Sequence, residues 1–151
     1  STQEKLQVFW CLWLKDLQPE ALQAVGTRLR LSSRLIGWIG ECRALWQLLP
    51  TLIGQRPSQI TSDLEHFHPI PRCSVFAACD QEEQRQVLQT YEEVYRKVRP
   101  FTTGDDLRAF GLPPSPRYDI ILSDLKRAWL DGELKSEDEE KTFLRQLLDQ
   151  K

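Results

Sequence analysis

No run of apolar residues in this chain approaches the roughly 20 that a membrane span requires. The most apolar stretch, Leu6 to Leu17, is interrupted by Gln7, Lys15 and Asp16. It also lacks the basic start and small-residue cleavage site of a secretory signal, so neither a membrane protein nor an exported precursor is expected. Methionine is absent and the chain begins at Ser1, which fits a piece of a longer polypeptide. Cysteine is sparse: Cys11, Cys42, Cys73 and Cys79 form no CxxC pair and read as buried thiols in a reducing, cytoplasmic compartment. An excess of positive charge is lacking too. Lys and Arg number 20 against 22 Asp and Glu, for a net charge of −2. Any contact with nucleic acid therefore has to come from a local patch.

The residues that catalysis requires are equally scarce. There is no D-x-D pair to hold Mg²⁺ and no Gly-Gly loop to cradle a triphosphate. No G-x-S-x-G elbow is present, and neither His66 nor His68 has an evident nucleophile beside it. His66-Phe67-His68 followed by Cys73 and Cys79 comes closest to a zinc set, but the spacing matches no common ligand pairing and reads as a packed connector. Asp105-Asp106 and the run Glu137 to Glu140 sit where helices begin, and there carboxylates serve the free N–H groups and the helix dipole. No catalytic residue and no metal ligand is assigned.

What is present is helical periodicity, in nine segments with no convincing strand. Leu6, Phe9, Trp10, Trp13 and Leu17 give a first helix, Thr2 to Leu17, one broad apolar face. Pro19 opens a second through Leu29. Ser32 or Ser33 caps a third, whose face carries Leu35, Trp38, Ile39, Cys42, Leu45, Trp46 and Leu49 until Pro50 ends it. After a connector from Thr51 to Pro57, Ser58 is expected to cap a short helix to Phe67. A further connector, His66 to Pro71, leads to a helix over Cys73 to Cys79. Asp80 then caps a long one through Val98, with Val87, Leu88, Tyr91, Val94, Tyr95 and Val98 on one side. Thr103 or Gly104 opens a short helix ending at a left-handed Gly111. The turn Leu112-Pro113-Pro114 leads to Ser115 as N-cap and Pro116 at the first position of the next helix. That helix carries Ile120, Ile121, Leu125, Ala128 and Trp129 to a stop at Gly132. Ser136 with Glu139 forms a capping box for the last helix, Glu137 to Gln150. The fold class is all-α, a bundle-like body over residues 1–99 followed by a small helical tail over 100–151.

The basic residues have a pattern of their own. Arg108, Arg117, Lys126 and Arg127 surround the Gly104 to Trp129 segment. Phosphates bind where glycine lets a backbone come close and where a helix start points free N–H groups outward. The candidate RNA contacts on that logic are Gly104, Arg108, Gly111, Ser115, Arg117, Lys126 and Arg127. The five tryptophans fall in register with apolar helix faces and read as core packing. An exposed face of Leu6, Phe9 and Trp13 would instead offer a docking surface for another protein or a second copy.

The run FTTGDDLRAFGLPPSPRYDIILSDLKRAWLDGEL, Phe101 to Leu134, resembles the tail motif of bacterial tRNA nucleotidyltransferases, the class that includes CCA-adding enzymes and poly(A) polymerases. The matching positions are Thr103, Gly104, Asp106, Leu107, Gly111, Pro114, Pro116 and the run Ala128 to Gly132. Upstream, Arg28 to Arg34 resembles the preceding body helices. Ser115 stands where the family turn commonly has glycine, and serine is a good N-cap. The family's Glu-Asp-x-x-Arg nucleotide-selecting motif is missing. The resemblance implies a non-catalytic body-plus-tail region that holds the backbone of tRNA during 3′-end maturation. Mg²⁺ and CTP or ATP would then belong to an N-terminal catalytic head outside this chain, and that head and tRNA would be its partners. The alternative is a helical interaction or oligomerisation domain, including a homodimer, that does not contact RNA.

Overall fold

The computed structural model of the chain describes residues 2–111, 113 and 115–149. Leu112 and Pro114 of the expected turn, and Gln150 at the expected end of the last helix, lie outside the described residues. Among the described residues there are nine α-helices and no strand: α1 (Thr2–Leu14), α2 (Pro19–Arg28), α3 (Ser33–Leu48), α4 (Pro57–Leu64), α5 (Pro69–Ala78), α6 (Glu82–Glu93), α7 (Gly104–Ala109), α8 (Arg117–Leu130) and α9 (Glu137–Asp149). The all-α expectation is met. Short 3₁₀ turns extend α3 (Leu49–Leu52) and follow α6 (Tyr95–Lys97).

Two apolar clusters organise these helices. The first gathers Ile39, Cys42, Leu45 and Leu49 of α3 and its extension with Leu64, Val75 and Leu88 from α4 to α6. The second is formed by Leu107, Ile121, Leu125, Ala128, Leu134 and Leu144 from α7 to α9. Leu125 and Ala128 lie one turn apart on α8, which is how that helix holds one face on its core.

Prolines account for the boundaries that differ from expectation. α4 begins with Pro57, not after Ser58, and α5 begins with Pro69, four residues before Cys73. Proline suits the first helical turn because its missing N–H would be unpaired there anyway. His68 becomes the N-cap of α5, its Nδ1 accepting the Ile70 N–H at 3.2 Å. α6 starts at Glu82 and gives way at Val94 to a tighter turn, so the long helix through Val98 is divided. α8 starts at Arg117, with Pro116 at its N-cap position and no side-chain cap, so Ser115 does not play the expected role.

Other local signals hold. Thr103 and Asp106 form a reciprocal capping box at α7. Gly111 has φ +82° and Gly132 φ +73°. At Gly132 the Glu133 N–H reaches the Ala128 carbonyl at 2.9 Å and the Gly132 N–H the Trp129 carbonyl at 3.2 Å, a Schellman stop that needs the left-handed glycine. At α9, Ser136 Oγ accepts the Glu139 N–H, but the Glu139 carboxylate takes the Lys135 N–H, one residue earlier than a capping box requires.

The largest departure concerns α1. Leu6, Phe9 and Trp13 are 55%, 55% and 60% exposed, while Cys11 and Leu14 face the core. The helix is apolar nearly all round, so periodicity alone does not select the buried side. Its contacts with α3 and α5 run through the smaller Cys11 side. Trp13 is therefore an exception to the core-packing reading, and Cys73 an exception to the buried thiols. Burial pushes the Cys11 thiol up to about 11 and the Cys42 thiol up to about 12, which keeps both protonated and unreactive.

Candidate nucleic-acid interface

The expected phosphate-binding residues of the tail do not converge on one spot. Gly104 is the first residue of α7, and Arg108 lies exposed one turn on, 4.0 Å from Asp105. Gly111 and Ser115 flank the turn before α8, both exposed. Arg117 opens α8, but its guanidinium donates to the carbonyls of Leu147 and Leu148 at 3.3 and 3.4 Å, which ties α8 to the end of α9. Lys126 and Arg127 sit about 14 Å further along α8 by helical rise. Arg127 pairs with Asp124 at 3.2 Å on the surface, and Lys126 turns toward α4, where its Nζ meets Glu65 at 3.0 Å. Of the tail cations expected to contact phosphate, Arg108 and Arg127 thus stay open, at 68% and 55% exposure.

Lys126 leads instead to a feature that spacing in sequence did not reveal. α8 lies against α4, and Lys126 there edges a cleft of about 540 Å³ lined mainly by α3, α5, α6 and the connector from Glu65 to His68. Arg72, Arg96, Arg99 and Lys126 line it, with Glu41 and Glu65 as the opposing carboxylates. A second groove of about 220 Å³ shares Thr61, Glu65 and Lys126 with the first and runs on to Ser62, Ser123 and Arg127. The two adjoin at these shared residues, and the larger is a trough whose cations come from α5, α8 and the segment after α6.

The trough is built on a buried charge network. Arg72 is 4% exposed and its Nε lies 2.6 Å from Glu92, while Arg96 pairs with the same carboxylate at 2.8 Å. Arg72 also donates to the Phe67 carbonyl and lies 5.3 Å from the centre of the Tyr91 ring. Burial pushes the Glu92 carboxyl up, but the two guanidinium groups outweigh it and hold the carboxyl below the ordinary range. Burial raises the Tyr91 hydroxyl, with the Arg72 charge opposing, so the ring stays neutral. At the far wall His68 stacks on Trp38 with ring centres 4.4 Å apart. Glu41 holds the His68 backbone N–H at 2.8 Å.

Two carboxylates hold the tail together. Glu140, 1% exposed, accepts the backbone N–H groups of Phe101 and Thr102 at 3.0 and 2.7 Å, the Thr102 hydroxyl and the Trp129 indole N–H. Burial raises this carboxyl, and the four donors reverse the effect and bring it below the usual carboxylate range. Asp131 reaches back to the body and caps α4 at Ser58. The sequence reading of Glu137 to Glu140 as helix-start residues holds for the exposed members and misses the role of Glu140. A carboxylate one turn into an amphipathic helix, on its apolar side with Leu144, was the available signal.

Among the described residues no three His, Cys, Asp or Glu side chains come together as a metal set. No described helix is long and apolar enough to cross a membrane.

Comparison with known proteins places one protein beside this chain. It is 32% identical over 94 residues to an A-adding tRNA nucleotidyltransferase of Geobacter sulfurreducens, a match covering 62% of this chain and 11% of that protein. The chain thus spans about a tenth of the relative's length. The similarity shows a distant relation to a tRNA nucleotidyltransferase. No protein-family model matches the chain, and no solved structure does.

Proposed function

We propose that this chain is a non-catalytic, RNA-holding region of a tRNA nucleotidyltransferase, gripping the sugar-phosphate backbone of tRNA while a separate catalytic head acts on the 3′ end. The observation that carries the reading is the similarity to the A-adding enzyme. Supporting it, Lys126 and Arg127 of α8 line an open groove and Arg108 of α7 is exposed, where a phosphate chain can reach them. Backbone contacts of this type read shape more than base identity. Mg²⁺ and CTP or ATP then belong to the head, and the setting is the cytoplasm.

Fluorescence anisotropy of labelled tRNA at low and moderate salt tests this. Binding should weaken steeply as salt rises, because each phosphate contact releases counterions. Arg108→Glu with Arg127→Glu is the appropriate variant, since neither side chain holds the fold as Arg117 does. It should lower affinity and flatten the salt slope by about one unit per lost contact. Unchanged affinity would remove the tail cations from the proposal.

The exposed Leu6, Phe9 and Trp13 face favours a second reading, in which α1 docks on protein. Phe9 and Trp13 stack with ring centres 5.9 Å apart and leave a contiguous apolar surface. Light scattering separates the cases: a concentration-dependent dimer abolished by Phe9→Glu supports docking between copies, and a monomer at high concentration removes the homodimer.

A further inference from the structure

The tail cations explain attraction to a phosphate chain, but they leave the aromatic wall of the trough without a role. His68 is exposed and nevertheless held from three sides. Its ring stacks on Trp38 with planes 23° apart, its Nδ1 accepts the Ile70 N–H, and its backbone N–H is fixed by Glu41. An exposed ring held this firmly is a preorganised platform, because the entropy of ordering it has already been lost on folding. Arg96, Arg99 and Lys126 line the same cleft. Arg99 is exposed and folds its guanidinium onto the carbonyls of Arg96 and Val98, contacts that a phosphate can replace.

We infer that the body–tail trough takes a single-stranded stretch of RNA, with one unpaired base stacked on the open face of His68 and the following phosphates along Arg99, Arg96 and Lys126. This rests on the RNA-holding reading and assigns it a site outside the exposed tail cations. A stacking ring combined with a run of cations is the arrangement by which proteins hold single strands. The choice of strand follows from the position of the ring. It lies on the wall of a cleft, where an unpaired base can be splayed out, whereas bases inside a duplex keep their faces covered. A second groove that adjoins this cleft at Lys126 favours a chain over a free nucleotide. Exposed Ser62 and Ser123 there add hydroxyls suited to phosphate oxygens or a 2′-hydroxyl.

The test is anisotropy of a fluorescein-labelled single-stranded RNA of about ten nucleotides, a length within the usual range for single-strand sites. It is run beside its abasic counterpart and a duplex of the same sequence. His68→Asn is the decisive variant, since asparagine retains an N-cap acceptor for α5 and removes the ring. Melting followed by circular dichroism verifies that its fold is kept. The expected result is preference for the single strand over the duplex and a loss of about tenfold in affinity for His68→Asn. Wild type and His68→Asn should bind the abasic strand equally. Arg99→Glu should weaken every strand and flatten the salt dependence. If His68→Asn binds the normal strand as tightly as wild type while Arg108→Glu with Arg127→Glu loses RNA, the trough assignment falls and the RNA-holding reading stands. If the wild-type chain binds no RNA at low salt, both fall.

Discussion

The carboxylate of Asp131 accepts the Ser58 backbone N–H at 2.9 Å and the Ser58 hydroxyl at 2.7 Å, so a residue of the tail caps a helix of the body 73 positions away. α4 begins at Pro57 with no side-chain cap of its own. Asp131 supplies the missing acceptor, and its charge faces the positive end of the α4 dipole. Lys126 and Glu65 make a second link between the same two parts of the chain, within about two helical turns. These contacts fix α8 against α4 and place Lys126 at the edge of the trough.

Asp131→Ala should therefore cost about 1–2 kcal/mol, the usual worth of an N-cap. In a chain of this size that lowers the thermal midpoint by roughly 2–8 °C. Ser58→Ala should cost less, and the double variant should fall short of the sum because both changes remove one interaction. Additive losses would mean that the cap carries no coupling between body and tail.

Glu140 is the tail's most sensitive position. Glu140→Gln keeps one acceptor but turns an amide N–H₂ toward groups that are themselves donors, leaving some unpaired in a buried site. A loss of about 3 kcal/mol is expected in urea unfolding. The pH dependence has a definite sign. The folded-state carboxyl lies below its ordinary value of about 4.3, so its stabilisation is complete above that pH and is lost as pH falls through the folded value. Stability curves of wild type and Glu140→Gln should accordingly converge in acid. A constant gap between them down to pH 3 would contradict the depressed carboxyl.

How much of this was legible depended on distance along the chain. The Thr103–Asp106 box and the Gly111 and Gly132 stops lie within a few residues, so local chemistry determines them and sequence pattern reveals them. Pro57 and Pro69 read as parts of connectors, yet each occupies the first position of a helix, where proline is favoured. On α1 the exposed Leu6, Phe9 and Trp13 face matches the docking alternative and not the core-packing reading of Trp13, because apolar residues occupy several sides and contacts with α3 and α5 decide which are covered. The trough was least legible of all. Trp38, His68, Arg99 and Lys126 come from four separate parts of the chain, and no periodicity links them. The tail cations were found as residues, but the structure divides them among surface, helix lock and trough.

Arg30 stores a small strain that can be released. It sits just after α2 with φ +52°, a left-handed conformation unfavourable for a residue with a Cβ. The Leu31 N–H to Gly26 carbonyl bond at 2.9 Å holds it there as the turn closes. Arg30→Gly should stabilise the chain by about 0.5–1 kcal/mol, after the larger backbone entropy of glycine is set against the relieved strain. Denaturant midpoints with an unchanged slope would establish it, and a lower midpoint would show that the Arg30 side chain contributes more than the strain costs.

Arg72 tests the floor of the trough without touching its open side. Its guanidinium joins Glu92, the Phe67 carbonyl and the Tyr91 ring in a site it fills almost completely. Arg72→Ala leaves that carbonyl without its donor and Glu92 with Arg96 alone. A loss of about 2–3 kcal/mol is expected, discounted from a fully buried pair because Glu92 is 35% exposed. Arg72→Lys should recover less than half, since a single ammonium cannot serve carboxylate and carbonyl in the fork geometry of arginine. Thermal melts of the two variants decide the matter: equal midpoints for Lys and Arg would reduce Arg72 to a point charge, and a large deficit for Lys identifies the planar fork as what joins α5 to α6 beneath the trough.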